Sequence, residues 1–222
     1  MRGMVEGRFA YVVGVASSRI AGQDRAFVFV RPRGLVIALA DGAGGTSNGA
    51  VAAQAFVNAV GVTSPETSWT AVIEALDQDA PRLGHGQTTA VVVTLDPGGI
   101  GGSSVGDSGA WLIRDEVIDL TDGQVRKPLG GGGCVPFVFH AGPIGNATLL
   151  VASDGLLRYG KQQDIAAIAR GPDLAAAARS LIELVRLPSG ALQDDVAVVL
   201  CRDLEVTLRS RSARPSHDGR VR

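Results

Sequence analysis

The stretch "ALADGAGGTSNGA", residues 38–50, decides the fold. The apolar run 35–40 climbs to a carboxylate, Asp41, and then gives way to Gly42, Gly44 and Gly45. Aliphatic and β-branched residues in a short run bracketed by turn formers read as a buried strand. A carboxylate set where such a strand stops, followed by residues that permit close backbone approach, presents a functional group.

The same arrangement recurs along the chain. Asp24 immediately precedes the strand-like run 25–30, Asp107 follows "GGSSV" in "GDSG", Asp154 follows "LLVAS" in "SDGL", and Asp194 and Asp195 precede "VAVVL". Each one alone reads as a turn aspartate, since the side chain accepts from nearby backbone N–H groups. Together they read differently. Strand ends on one edge of a sandwich converge, and uncompensated carboxylates at one place repel, so they raise each other's pKa or bind cations. Oxygen ligands without His or Cys favour magnesium or manganese over zinc. Two such ions about 4 Å apart, bridged by carboxylates, suit attack on phosphate esters.

Strands are expected at 9–15, 25–30, 35–40, 88–95, 102–105, 109–114, 116–120, 135–140, 148–152 and 196–201. The pairs 25–30 with 35–40 and 109–114 with 116–120 read as hairpins. Helices are expected over "SNGAVAAQAFVNAVG", capped by Thr46 or Ser47 and stopped at Gly61, and over "SPETSWTAVIEALDQDA", capped by Ser64 or Thr67 and ending before Pro81. Two more fall on "QQDIAAIAR" and "GPDLAAAARSLIELVRLPSG", the latter opening with Pro172 near its first turn. Strands, two helices, many strands, two helices and a last strand do not alternate as β-α-β units. The order predicts an α+β fold: two mostly antiparallel sheets flanked by helix pairs, an α-β-β-α sandwich.

The 222 residues suit one domain, and 45% hydrophobic against 19% charged content supplies a core. No apolar run is long enough for a membrane span, and the N-terminus lacks the basic lead of a signal peptide, so a cytoplasmic protein is expected. Cys134 and Cys201 form no metal or disulfide pattern and read as reduced thiols. The net charge of −1 argues against nucleic acid. Residues 206–222 carry Arg209, Arg211, Arg214, Arg220 and Arg222 against Asp218 and read as a basic tail, disordered from about Ser210. The functional domain is therefore placed at 1–205.

The ordered set "SRIAGQDRA", "ALADGAGG", "GQTTAVVV", "SSVGDSGAWLI", "LLVASDGL" and "QDDVAVVL" resembles the metal-dependent serine/threonine protein phosphatases of type 2C. The resemblance spans Arg19 to Leu200. It implies two or three divalent ions, manganese or magnesium, with Asp41 bridging two of them and the Gly42 carbonyl as a ligand. Asp154 and Asp194 complete the pair. Asp195 stands where the family usually has asparagine, and Asp194 is favoured because "VAVVL" then starts in the matching register. Asp24 matches the acid that acts through metal-bound water, Asp107 the ligand of a third ion, and Arg19 the arginine that grips substrate phosphate. The implied reaction is hydrolysis of phosphoserine or phosphothreonine in a protein by a metal-bridging hydroxide, opposing a kinase, with the enzyme a monomer.

Three departures stand out. Gln23 replaces an acid often found before Asp24. Ala43 occupies the place of a histidine that, in some members, protonates the leaving group; the leaving oxygen then needs another donor, such as metal-bound water, or the rate falls, and His85 is read as incidental. His140 is read as structural. Only the 44 residues 110–153 separate "GDSG" from "SDGL", so the flap beside the site is short, and its "GGGG" reads as a flexible loop rather than a phosphate cradle. The other functions left open are a phosphoprotein-binding module with weak catalysis and a phosphatase of small esters.

Overall fold

The structure is a computed structural model that describes residues 2–6, 8–43, 47–64 and 66–205. Strands are numbered along the chain. One sheet carries β1 (Arg2–Glu6), β2 (Phe9–Ala16), β13 (Val196–Asp203), β12 (Thr148–Ala152), β9 (Gly109–Ile113) and β10 (Val117–Asp119), in that order. The other carries β11 (Phe137–Ala141), β8 (Gly99–Val105), β7 (Ala90–Asp96), β4 (Gly34–Ala40) and β3 (Arg25–Arg31). Every pairing is antiparallel. Helices α1 (Ser47–Val62) and α2 (Trp69–Leu83) cover the second sheet, and α4 (Gln162–Ala169) and α5 (Leu174–Leu184) cover the first. This is the α-β-β-α sandwich expected from the order of the elements.

The layering explains why the central strands read as unbroken apolar runs. Leu35, Ile37 and Leu39 of β4 face the other sheet, while Val36, Ala38 and Ala40 face α1 and α2. In β13, Ala197, Val199 and Cys201 point between the sheets and Val196, Val198 and Leu200 toward α4 and α5. A strand covered on both faces has no polar side to alternate with. Both cysteines are free, Cys201 in the inter-sheet core.

The differences from expectation are local. β1 pairs with β2 and was not anticipated. The expected strand 88–95 is split into β6 (Gln87–Thr88) and β7, because Thr89 turns its N–H and hydroxyl to Asp41. β6 pairs with β5 (Gly42–Ala43), a two-residue strand too short to show a period. Helix α2 runs through Pro81 to Leu83. A proline deletes only one ladder bond in a last turn, and Gly84, left-handed at φ 66°, closes the helix by donating to Ala80 and Pro81 carbonyls. Pro172 precedes the N-cap of α5 rather than opening it; Asp173 caps by accepting from Ala175 and Ala176. Ser47 is already helical, and α1 extends one residue past Gly61. Gly44, Gly45, Thr46 and the basic tail 206–222 lie outside the described residues.

The antiparallel register polarises the molecule. β4 ends at Ala40 beside the start of β3, β7 starts beside the end of β8, and β12 ends beside the start of β9. The connections 32–33, 97–98 and 114–116 lie at the opposite end.

Candidate active site

The strand ends gather the acids. Asp41 follows β4, Asp107 follows β8, Asp154 opens the short helix α3 (Asp154–Leu157) after β12, and Asp194 precedes β13. These acids line one cavity of about 860 Å³, together with Arg19 and Arg126. Asp24, just ahead of β3, lies under them and is only 2% exposed.

Asp41 is held by its backbone. Its N–H donates to Thr89 Oγ1 at 3.1 Å, and its carbonyl accepts from Thr89 N at 2.8 Å and Thr88 Oγ1 at 2.8 Å. Thr89 Oγ1 is in turn 2.6 Å from the buried Ser108 hydroxyl. Helix α1 reaches this corner because Gly42 and Gly49 both lack a side chain. A Cβ on Gly42 would come within 2.5 Å of the Gly49 backbone, and one on Gly49 within 2.7 Å of the Ala43 carbonyl. Gly42 thus serves helix docking, a reason that its sequence context did not suggest.

The electrostatics are those of crowded acids. Burial first, then the Asp24 and Asp154 carboxylates, push Asp41 up to about 10. Burial pushes Asp24 up to about 7 against the pull of Ser153 and Asp41, and the charges of Asp195 and Asp154 add to it. Asp154 is raised by burial and by Asp107. Among the described residues no well-formed hydrogen bond reaches either oxygen of Asp24 or Oδ1 of Asp154, although all three atoms are buried. Buried oxygens without donors require some other partner. Among the described residues no group of three or more His, Cys, Asp and Glu is already closed about a common point. The fit to divalent cations therefore rests on donor type, on crowding and on the unpartnered oxygens, and on those three counts the residues fit.

Cation binding by such a cluster would be proton-linked. Near pH 7 the cation-free cluster holds protons that an unfolded chain, with aspartates near 3.9, has lost. Because the folded values are raised, the stability of the cation-free protein falls as pH rises from about 4 toward the raised values. Manganese binding at pH 7 should release protons, read as a buffer-dependent enthalpy in calorimetry, and should raise Tm more at pH 8 than at pH 6. A binding enthalpy independent of buffer ionisation would contradict the charge assignment.

Arg19 stands exposed on the cavity wall, and among the described residues its side chain makes no hydrogen bond or ion pair. Ala43 also lines the cavity. His85 does not; it borders a separate shallow groove with Arg25 and Gln54. His140 is exposed on β11 rather than packed into the core.

Several residues that matter here were not singled out from the sequence. Thr89, Ser108 and Ser153 are buried hydroxyls beside the acids, and their signal was the clustering of Ser and Thr next to each aspartate. Arg126 is a second cation on the wall, without a hydrogen bond or ion pair among the described residues. Asp77 is the clearest omission. It sits on the buried stripe of α2 with Trp69, Ile73 and Ala80. Its Oδ1 accepts from Gly130 N at 2.6 Å and Gly132 N at 3.1 Å, and its Oδ2 from Cys134 N at 2.9 Å. The glycine loop is thus tied down around an internal carboxylate, and Gly130 and Gly132 take the positive φ values this needs. The flexible-loop reading of that segment is corrected. A charge at helical spacing within an apolar stripe was the available signal.

A sandwich of this topology matches the fold of solved serine/threonine phosphatases. The S. agalactiae serine/threonine phosphatase superposes with TM-score 0.77 at 21% identity, covering 88% of this chain and 99% of that one. RsbX in complex with magnesium gives 0.75 at 18%, covering 90% and 98%. The catalytic domain of the serine/threonine protein phosphatase PstP, in complex with two manganese ions, gives 0.70 at 22%, covering 87% and 97%. No protein-family model matches the chain, and no curated protein matches it significantly. Among the described residues no helix is long and apolar enough to cross a membrane.

Proposed function

We propose that the chain is a metal-dependent phosphatase of phosphoserine and phosphothreonine in proteins. The observation that carries this reading is the convergence of Asp24, Asp41, Asp107, Asp154 and Asp194 beneath one cavity that also presents Arg19, whose side chain has no partner among the described residues. Asp41, Asp154, Asp194 and the Gly42 carbonyl hold two divalent cations, manganese or magnesium. Asp24 supports them from below, and Asp107 offers a place for a third. When bound, such ions lower the pKa of a water and neutralise phosphoryl charge. The protein's own contribution is placement. Arg19 offers a fork of donors to two phosphoryl oxygens. Thr88 and Thr89 fix the backbone of Asp41 so that its carboxylate does not drift as charge develops. No side chain in the cavity serves as a nucleophile in this reading: Cys134 is bound up with the Asp77 loop, and burial, followed by the Asp77 charge, pushes its thiol up to about 12.

The substrate is a phosphorylated protein, the target of a serine/threonine kinase. The unbridged cysteines support placement in the cytoplasm. The enzyme works as a monomer, and its catalytic unit is 1–205. Hydrolysis of p-nitrophenyl phosphate by the purified chain should require manganese or magnesium and stop on chelation, and deleting 210–222 should not change it. Phosphopeptides carrying phosphoserine or phosphothreonine should then be hydrolysed. Arg19→Ala should raise KM on the order of tenfold with a smaller loss in kcat. A folded, manganese-loaded protein without turnover would overturn the reading and favour a phosphoprotein-binding module.

A further inference from the structure

We propose that Asp195 is a positioning residue that sets Arg19 over the cavity. The inference rests on the phosphatase reading for its kinetic consequence, but its structural basis is independent of it. Asp195 is 7% exposed, and both of its oxygens are spoken for. Oδ1 accepts from Ser18 N at 2.7 Å and Ser18 Oγ at 3.0 Å, and Oδ2 accepts from Gln23 N at 2.5 Å. Those donors bracket the segment 18–23, which leaves β2 and returns to β3 carrying Arg19. Since the Arg19 side chain has no hydrogen bond of its own among the described residues, its position is set by the backbone to which it is attached; one carboxylate fastens that backbone at both ends, and the Arg25 guanidinium adds a bond to the Gly22 carbonyl at 3.0 Å.

The fastening is built in from all sides. Gly22 lets the loop close, since a Cβ there would overlap the Ser17 side chain and come 3.2 Å from Asp195 Oδ2. Gly155 leaves room for the Asp195 carbonyl, and the Asp195 N–H donates to Asp194 Oδ1 at 2.9 Å. Both neighbouring acids border the cavity, but they divide the work: Asp194 is partly exposed there, while both oxygens of the buried Asp195 are taken up by the loop. In this chain each end of the loop presents a backbone donor to residue 195, and a carboxylate accepts both, one with each oxygen. An asparagine has one acceptor oxygen, so its NH2 would meet either the Ser18 or the Gln23 backbone donor, and one end of the loop would be released.

The test is Asp195→Asn, with three readouts. Amide hydrogen exchange of residues 18–23 should quicken while exchange in β13 stays as it is. KM for p-nitrophenyl phosphate should rise on the order of tenfold, with kcat and manganese affinity within about twofold of the parent. In the double variant with Arg19→Ala, KM should equal that of Arg19→Ala alone, because the carboxylate acts only through the arginine. Unchanged exchange in the loop, lost manganese affinity, or effects of the two substitutions that multiply would each overturn the proposal. If the parent protein has no turnover, the phosphatase reading fails, while the exchange result still decides whether Asp195 holds the loop. Should Asp195→Asn not fold, Ser18→Ala carries the test. It removes one donor from the same carboxylate and should raise KM about threefold without lowering Tm.

Discussion

Asp41→Asn should leave the protein folded and reduce metal-dependent turnover on the order of a thousandfold. The substitution keeps the shape of a side chain whose carboxyl burial has pushed up to about 10, so near neutral pH the cation-free parent already carries it uncharged. Replacing it with a neutral isostere costs that form little. The backbone contacts with Thr88 and Thr89 are also untouched. What is lost is the ability to shed a proton and become an anion when cations arrive. Thermal melts with chelator should therefore match the parent or exceed it above neutral pH, while calorimetry shows manganese binding weakened and its proton release reduced. Parent-like turnover would remove Asp41 from the centre of the site. A collapse in Tm would mean that its role is structural.

The second large effect falls on stability. Asp77→Ala should destabilise the fold by about 3 kcal/mol, read from denaturant melts. The carboxylate is buried in the stripe of α2, and its removal leaves the Gly130, Gly132 and Cys134 amides without their acceptor. Burial alone would raise the Asp77 pKa, but those donors outweigh it and hold it below the ordinary value. A lowered folded value means stability that is present above the unfolded pKa of about 3.9 and lost as pH falls through the folded one. The acid limb of the stability curve should therefore flatten in Asp77→Asn. A loss under about 1 kcal/mol in Asp77→Ala would show that the loop is held by other means, for instance the Thr88–Leu129 bridge.

The sandwich was legible because both-face burial writes itself as unbroken apolar runs, as in 35–40 and 196–201. Apart from the edge strand β1, the elements that escaped are those too short to carry a period, β5, β6 and α3, and all three lie at the site. There the backbone bends to serve side chains rather than ladders, as Thr89 does for Asp41. The acids announced themselves by standing at strand ends. Their division of labour did not, because adjacent aspartates such as Asp194 and Asp195 are identical in type and differ only in which way the chain turns them ahead of β13. Asp77 and the glycine loop, 53 residues apart for Gly130, meet only in the folded chain.

The polarity of the strand register bears on how such a protein can change over time. The connections at 32–33, 97–98 and 114–116 lie across the length of the sheets from the acids, and shortening, lengthening or decorating them leaves the walls of the acid-lined cavity untouched. At the other end the chain has no slack, since Gly42 and Gly49 meet backbone to backbone. Novelty in surface recognition can therefore accumulate at one pole while the chemistry at the other is kept, and a tag or fused domain grafted into a distal hairpin is the natural engineering route.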